Sequence, residues 1–186
     1  MMADNTPLRP GEHDMSRSAF YRRASSGEYT RISRGLYLPA DAATANWDWL
    51  EATSRHRQAT ICLTSALAHY DLTDDIPRAL DIAIPRGTRA PATSSAIAWH
   101  HFATETFNLG RSDIEIPGSD LRIGIYSPER CIADAFRLRG GQGYELARDA
   151  LREWLRRGGK PTELMEIATK LPRAKGPLLR TLEAIG

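Results

Sequence analysis

The sequence predicts an α+β fold, in which a small N-terminal unit precedes a larger mixed α/β domain with a helical C-terminal third. Three observations predict it. A helix signal and a hairpin signal fall within the first 39 residues, short apolar runs separated by turn residues occupy residues 61–126, and helical apolar stripes follow from residue 144. We therefore expect a module over 1–39, a linker over 40–46 and one domain over 47–186.

The composition is that of an ordinary globular chain. It has 186 residues, of which 41% are hydrophobic, and this is enough for one domain or two small ones. No apolar run approaches the roughly 20 residues that a membrane helix needs, and the first residues lack the apolar core of a secretory signal. Two cysteines are too few for a disulfide scaffold or a four-cysteine zinc site. We expect a cytoplasmic protein without a membrane partner.

The charges are unevenly distributed, although the net charge is only +2. Residues 1–40 hold 6 arginines against 4 acidic residues, and residues 137–186 hold 11 basic against 6 acidic residues. The intervening residues 41–136 hold 8 arginines against 13 acidic residues. Two basic ends indicate a nucleic acid or an acidic protein as partner.

A short helix is predicted over 17–24, because Ser16 is a good N-cap. Steps of 100° per residue place Ala19, Phe20 and Ala24 on one side. Arg23 lies toward that apolar side, where its aliphatic stem is expected to pack. The opposite, solvent-facing side collects Arg17, Ser18, Tyr21, Arg22 and Ser25.

A β-hairpin is predicted next, with strands over 29–32 and 36–38, Gly35 in the turn and Pro39 at its end. A capped helix followed by such a hairpin is typical of the second half of a winged helix-turn-helix. In that module the helix enters the major groove and the hairpin, or wing, lies along the phosphates. Any small helix can also carry arginines on its solvent-exposed face without binding DNA, and this structural alternative stays open. The candidate DNA contacts are Arg17, Ser18, Tyr21 and Arg22 in the groove, and Arg31 and Arg34 on phosphates.

The middle of the chain reads as alternating helices and strands. A helix is predicted over 47–58 and another up to about residue 70, capped by Thr64 or Ser65. The link Pro117-Gly118-Ser119-Asp120 is a hairpin turn between the last two strands. The predicted strands cover 61–63, 80–84, 96–102, 113–116 and 121–126.

The segment from Ser127 to Asp134 has two interpretations. Ser127 as nucleophile with Asp134 as acid would be catalytic. The favoured interpretation is structural: Ser127 caps a helix that runs to about residue 138 and is stopped by Gly140 and Gly141. In it Cys131 is a small buried side chain, and Arg130 pairs with Asp134 at i,i+4 spacing.

No metal, cofactor or catalytic site is expected. His100 and His101 are strand neighbours that point to opposite faces. The acids Asp113 and Glu115 have no lysine in residues 41–136 to complete a nuclease site, and no Gly-rich phosphate loop occurs.

The C-terminal third is predicted to form three helices. The first carries an arginine stripe that is either a solvated face or a docking surface for an acidic patch or DNA. That stripe consists of Arg148, Arg152 and Arg156.

Several segments together resemble AbiEi-type antitoxins. GEYTRISRGLYLPA resembles that family's wing, and TICLTSALAHYDL resembles its strand and Ser-Ala-Leu helix. IYSPERCIADAFR matches its Ser-Pro-x-Arg segment at Ser127, Pro128, Arg130 and Asp134. The segments occur in the family's order from about residue 16 to residue 137.

The resemblance implies an antitoxin that represses its own operon through promoter DNA. It also implies a C-terminal domain that neutralises a cognate nucleotidyltransferase-like toxin, with no enzyme activity of its own. Family members have further helices before the recognition helix, where this chain has a polar arm. An antitoxin that acts without DNA through its C-terminal domain is therefore the alternative, as is one that promotes phosphorylation of the toxin.

Overall fold

The computed structural model describes residues 7–11, 14–42, 46–138 and 143–185. The predicted helix stop at Gly140 and Gly141 and the middle of the expected 40–46 linker lie outside these residues. The polar arm before residue 16 is described only in part.

The N-terminal unit is a helix packed on a hairpin. Helix α1 spans Arg17–Ser25, and Ser16 Oγ caps it by accepting a hydrogen bond from the Ala19 N–H (3.3 Å). Strands β1 (Tyr29–Ser33) and β2 (Leu36–Pro39) pair antiparallel, and Gly35 makes the turn at φ +73°. Both elements are confirmed, because caps and turn glycines act through neighbours in sequence.

An aromatic cluster joins this helix to this hairpin. The buried ring of Phe20 stacks on Tyr29 with centroids 5.0 Å apart and meets Tyr37 edge-on at 5.2 Å. The polar arm adds to the hairpin: the Leu8 N–H donates to the Tyr37 carbonyl (2.7 Å), and the Tyr37 N–H donates to the Leu8 carbonyl (3.0 Å).

A five-stranded mixed sheet forms the centre of the molecule, in the order β5-β4-β3-β7-β6. Strands β3 and β7 are parallel, as are β4 and β5, whereas the β3–β4 and β6–β7 pairs are antiparallel. The strands are β3 (Thr60–Ile61), β4 (Leu80–Pro85), β5 (Ile97–Phe102), β6 (Arg111–Glu115) and β7 (Arg122–Tyr126).

Two of the remaining helices contact the sheet directly, and the last three pack on the helix that follows β7. Their bounds are α2 (Trp47–Arg55), α3 (Leu63–His69), α4 (Pro128–Arg137), α5 (Gly143–Arg156), α6 (Pro161–Lys170) and α7 (Lys175–Ile185). A 3-10 turn at Thr104–Thr106 follows β5. The fold is α+β, as the sequence predicts. No helix within the described ranges combines the length and the apolar character needed to cross a bilayer.

The predicted cap of α3 is wrong. The helix begins at Leu63 straight after Cys62, whose N–H donates to the Asp81 carbonyl (3.0 Å) and which makes no side-chain cap bond. The chain turns from strand to helix through Leu63, at φ +46°. Ser65 thus lies inside the helix, and its hydroxyl bonds to β4 instead. Helix α2 also ends three residues early, because His56 is extended.

The hairpin shares its core with the rest of the chain. Leu38 is fully buried, and it belongs to the same continuous cluster as Leu50 of α2 and Ile61 of β3. Arg55 of α2 strengthens the link, since its Nη2 donates to Ser33 Oγ (2.6 Å) and to the Arg34 carbonyl (2.7 Å).

A buried carboxylate fixes the loop before β5. Glu51 accepts hydrogen bonds from the backbone N–H groups of Ser94 and Ser95, each at 2.8 Å. Burial raises the pKa of the Glu51 carboxyl, and the hydrogen bonds that the carboxylate accepts lower it. Together the hydrogen bonds outweigh burial, so the pKa of Glu51 lies below the ordinary value. The ionised form is therefore the one that stabilises the fold.

We expect Glu51→Gln to lower the free energy of unfolding by about 1–3 kcal/mol at pH 7, because the charge-assisted hydrogen bonds that the buried carboxylate accepts from two backbone N–H groups are weakened. Because the pKa of Glu51 is lower in the folded state than in the unfolded state, its ionised carboxylate stabilises the fold. This stabilisation is fully present above the pKa of the unfolded carboxyl, which is about 4.3. This stabilisation disappears as the pH falls through the folded pKa. Urea unfolding at pH 7 and at lower pH should show the two proteins converging. Equal unfolding free energies of the two proteins at pH 7 would contradict this prediction, as would a difference in unfolding free energy that does not shrink at low pH. The matched control is Glu163→Gln, at an exposed position.

Candidate nucleic-acid interface

The outer face of α1 carries the side chains that the sequence assigns to the groove. Arg17, Ser18, Tyr21 and Arg22 are all exposed, while Phe20 on the opposite side is buried. Among the described residues, the side chains of Arg17 and Arg22 have no hydrogen-bond or ion-pair partner. The face is thus polar, cationic and available to a ligand.

Arg23 makes its contacts through its guanidinium, whereas the sequence predicts packing of the aliphatic stem. Its Nε donates to Glu28 Oε2 (2.6 Å), and its guanidinium lies 5.3 Å from the ring centroid of Tyr29. The hydrogen bond to Glu28 raises the pKa of Arg23. This arginine joins the end of α1 to the start of the hairpin.

The hairpin presents Arg31 and Arg34, both exposed. The Nε of Arg31 donates to the Ser33 carbonyl (3.2 Å), which orients its side chain without neutralising it. Arg34 stands in the turn beside Gly35, with its carbonyl bound by Arg55. The structure therefore places both arginines on the same helix–hairpin unit as the outer face of α1.

A cleft beside this hairpin is lined by arginines that the sequence analysis missed. It has a volume of about 590 Å³ and is walled by the arm, the end of α2 and the start of β7. Its basic lining residues are Arg9, Arg55, Arg57 and Arg122. They come from three segments of the chain, the arm, the end of α2 and the start of β7, so no local spacing could have revealed the cluster.

The arginine stripe of α5 is largely balanced by acids of its own helix. Glu153 accepts from Arg156 at 2.7 and 2.6 Å and from Arg157 at 2.6 Å, and Arg152 lies 3.5 Å from Asp149. Hydrogen bonds from Arg156 and Arg157 lower the pKa of the Glu153 carboxyl to about 2. Arg148 lies over the ring of Tyr144, 6.0 Å from its centroid.

Acidic side chains line a second cleft, of about 800 Å³, between the 71–78 loop and α5. The guanidinium of Arg157 anchors that loop by donating to the carbonyls of Tyr70 and Asp71. The acids are Asp71, Asp74, Asp75, Glu145, Asp149 and Glu153. The two clefts thus have opposite charge.

The Ser127–Asp134 segment has the structural geometry that the sequence favours. Ser127 Oγ caps α4 by accepting from the Arg130 N–H (3.3 Å), and Cys131 is fully buried. Arg130 and Asp134 form a buried ion pair, with Nε 2.7 Å from Oδ2. Burial raises the pKa of the Cys131 thiol well above its ordinary value, so the reactive thiolate is disfavoured.

Ser65, Asp81 and His100 form a chain of polar contacts without the order of a hydrolase triad. His100 Nε2 lies 2.8 Å from Asp81 Oδ1, and Ser65 Oγ lies 3.4 Å from Asp81 Oδ2. In a triad the imidazole stands between the serine and the carboxylate. Here the carboxylate stands between the other two, so the contacts tie α3 to β4 and β5.

The histidine neighbours diverge, as predicted: His101 Nε2 lies 2.9 Å from the Thr88 carbonyl, away from Asp81. Asp113 forms an ion pair with Arg111 at 2.8 Å. Across the described ranges, no three His, Cys, Asp or Glu side chains are grouped closely enough to hold a metal ion.

The sequence matches no protein-family model, and no curated protein matches it either. The geometry of the site therefore carries the functional argument.

Proposed function

We propose that this protein binds duplex DNA through α1 and the hairpin, with α1 in the major groove and the hairpin along the backbone. We further propose that it is the antitoxin of an AbiE-like system, which represses its own operon in the cytoplasm and neutralises a nucleotidyltransferase-like toxin. In this proposal the chain is not an enzyme, and the chemistry belongs to the toxin.

The observation that carries the DNA-binding proposal is the cationic outer face of α1 beside an arginine-bearing hairpin. The buried Phe20 cluster holds the two elements in one orientation, so Arg22 and Arg31 are presented by a rigid unit. Arginines read guanine edges and bind phosphates, and in helix-turn-helix modules the recognition helix lies in the major groove with its side chains on base edges.

The antitoxin part of the proposal is supported by the segments that resemble AbiEi-type antitoxins and occur in that family's order. Their central residues Ser127, Arg130 and Asp134 organise the start of α4 in this fold.

The first test is binding of the purified chain to the DNA upstream of its own gene, at two salt concentrations, against scrambled competitor. Tight, salt-sensitive and sequence-selective binding is expected, because released counterions make phosphate binding steeply salt-dependent. Absence of selectivity would overturn the repressor proposal. Co-purification with the neighbouring gene product tests the antitoxin proposal separately.

We expect Arg22→Ala to weaken operator binding by about 1–3 kcal/mol and to relax the preference at one base position. The physical reason is the loss of a hydrogen-bonded base contact. Fluorescence anisotropy over a panel of single-base operator variants measures both effects.

The matched control is Arg180→Ala, which removes the same charge from an exposed position on α7. Its affinity should stay close to that of the wild type. An equal loss for Arg22→Ala on every sequence would instead make Arg22 a phosphate contact.

A second candidate is an antitoxin that acts without DNA. It is favoured by one observation: the described residues before α1, 7–11 and 14–16, contain no helix to complete a helix-turn-helix. If this candidate is right, substitutions of the arginines on α1 and the hairpin leave toxin neutralisation intact. The wild type then binds promoter DNA without sequence selectivity. A mass increase of the toxin after co-expression would identify the phosphorylating alternative.

A further inference from the structure

The two outer strands of the central sheet differ in character. The strand order ends at β5 on one side and at β6 on the other. Outer strands of natural sheets usually carry charged side chains or prolines, or are very short. Strand β6 follows this rule, with Arg111, Asp113 and Glu115 among its five residues. Strand β5 does not, because its six residues, IAWHHF, include no Lys, Arg, Asp, Glu or Pro.

The hydrogen bonds between β5 and β4 define which backbone groups of β5 face outward. In a parallel pair, alternate residues direct both their N–H and their carbonyl toward the neighbouring strand. The carbonyls of Ala96 and Phe102 accept from backbone N–H groups at the start of β4 and just beyond its end (2.8 and 2.7 Å). The even-numbered residues therefore face β4. The outward backbone groups are those of Ile97, Trp99 and His101.

Trp99 is the middle one of these three residues. Its side chain packs against the core, and its indole N–H is shielded from water without a hydrogen-bond partner among the described residues. A buried indole N–H usually has such a partner. In the part of the chain that the structure describes, no strand pairs with the outward backbone groups either. Hydrogen-bonding capacity is thus left unused along this side of the sheet.

This side of β5 is complementary to itself. When a second copy pairs antiparallel about a two-fold axis at Trp99, the two Trp99 residues exchange N–H···O bonds, and Ile97 of each copy lies opposite His101 of the other. Every outward backbone group of both strands is then paired. The same arrangement of β6 would place Asp113 opposite the second copy's Asp113, and like charges directly opposite each other destabilise a sheet.

We infer that two copies of this protein associate through their β5 strands into a two-fold symmetric dimer, whose sheet is continuous across the interface. The inference concerns the chain alone and is independent of the proposed DNA binding. A second copy is the occupant that the strand itself specifies, because it pairs all outward groups without opposing charges. If a strand from a different protein occupied this position instead, the purified chain would be a monomer.

Sedimentation velocity of the purified full chain over a range of concentrations tests the association. We expect a species with twice the mass of one chain. Ile97→Pro should raise the dissociation constant of the dimer by at least about tenfold, because one interchain N–H donor is lost from each copy. Proline is tolerated at the first residue of a strand and where the N–H faces outward, and thermal unfolding verifies that the variant is folded. Glu115→Pro on β6 is the matched control and should leave the dissociation constant unchanged.

Disulfide trapping tests the register of the two strands. The double variant Ile97→Cys/His101→Cys places thiols opposite each other across the interface, at a Cα separation of about 5.5 Å that a disulfide allows. Within one chain these two positions are roughly 13 Å apart along the strand, too far to bond. Oxidation should therefore give a covalent dimer on a non-reducing gel, whereas Ile97→Cys alone should give none. The native Cys62 and Cys131 are both buried.

The outcomes decide the inference separately from the proposed function. A wild type that is monomeric at every soluble concentration overturns it. A dimer that tolerates Ile97→Pro and is not trapped by the double variant forms through another surface, which overturns the assignment to β5. Trapping by Ile97→Cys alone overturns the pairing about Trp99. If the proline variant does not fold, the trapping result decides.

Discussion

Asp134→Ala should destabilise the protein by about 3–5 kcal/mol, the cost of leaving one partner of a buried ion pair without the other. Arg130 is fully buried, donates to the carbonyls of Thr106 (2.6 Å) and Leu109 (2.8 Å), and depends on Asp134 for its counter-charge. Arg137 also donates to Asp134, at 2.5 Å. The loss therefore loosens both α4 and the segment that crosses from β5 to β6.

Chemical denaturation followed by circular dichroism measures this effect. Asp149→Ala removes an acid from an exposed α5 position and should change the free energy of unfolding by less than about 0.5 kcal/mol. Replacing Arg130 by Met together with Asp134 by Leu should recover part of the loss, because the fully buried Arg130 is then no longer left without its counter-charge, although Arg137 still loses its acceptor. A cost for Asp134→Ala below about 1 kcal/mol would contradict a tightly coupled buried pair.

Leu38→Ala should cost about 2–5 kcal/mol, as other large-to-small changes in packed cores do. Leu38 lies in the hairpin, yet it is fully buried in the cluster that contains Leu50 and Ile61. We expect one cooperative transition in which the hairpin and the sheet unfold together.

Tryptophan fluorescence is a suitable probe, because all four tryptophans fall within residues 47–186. If residues 1–39 formed an independent unit, Leu38→Ala would leave the tryptophan transition unchanged, and this result would contradict the expectation. Leu179→Ala, at a partly exposed position on α7, is the matched control.

Features that depend on neighbours in sequence could be predicted. The Ser16 cap, the burial of Phe20 and the Gly35 turn follow from rules that act over a few residues. The same holds for the Ser127-Pro128 helix start and the i,i+4 pair of Arg130 with Asp134. The α+β class follows from these elements.

Features that depend on residues far apart in sequence could not be predicted. Ser65 looked like a cap because it precedes a helical pattern, but its hydroxyl meets Asp81, 16 residues away. Glu51 reaches Ser94 across 43 positions. The cationic cleft forms only when β7 and α2 come together, so Arg57 and Arg122 carry no local signal.

The backbone pairing of Leu8 with Tyr37 covers part of the outer edge of β2. An uncovered strand edge presents free N–H and carbonyl groups, on which a strand from another molecule can add and start aggregation. Because Leu8 occupies both backbone groups of Tyr37, a second molecule cannot pair there without first displacing the arm. The arm thereby protects the hairpin against edge-to-edge self-association.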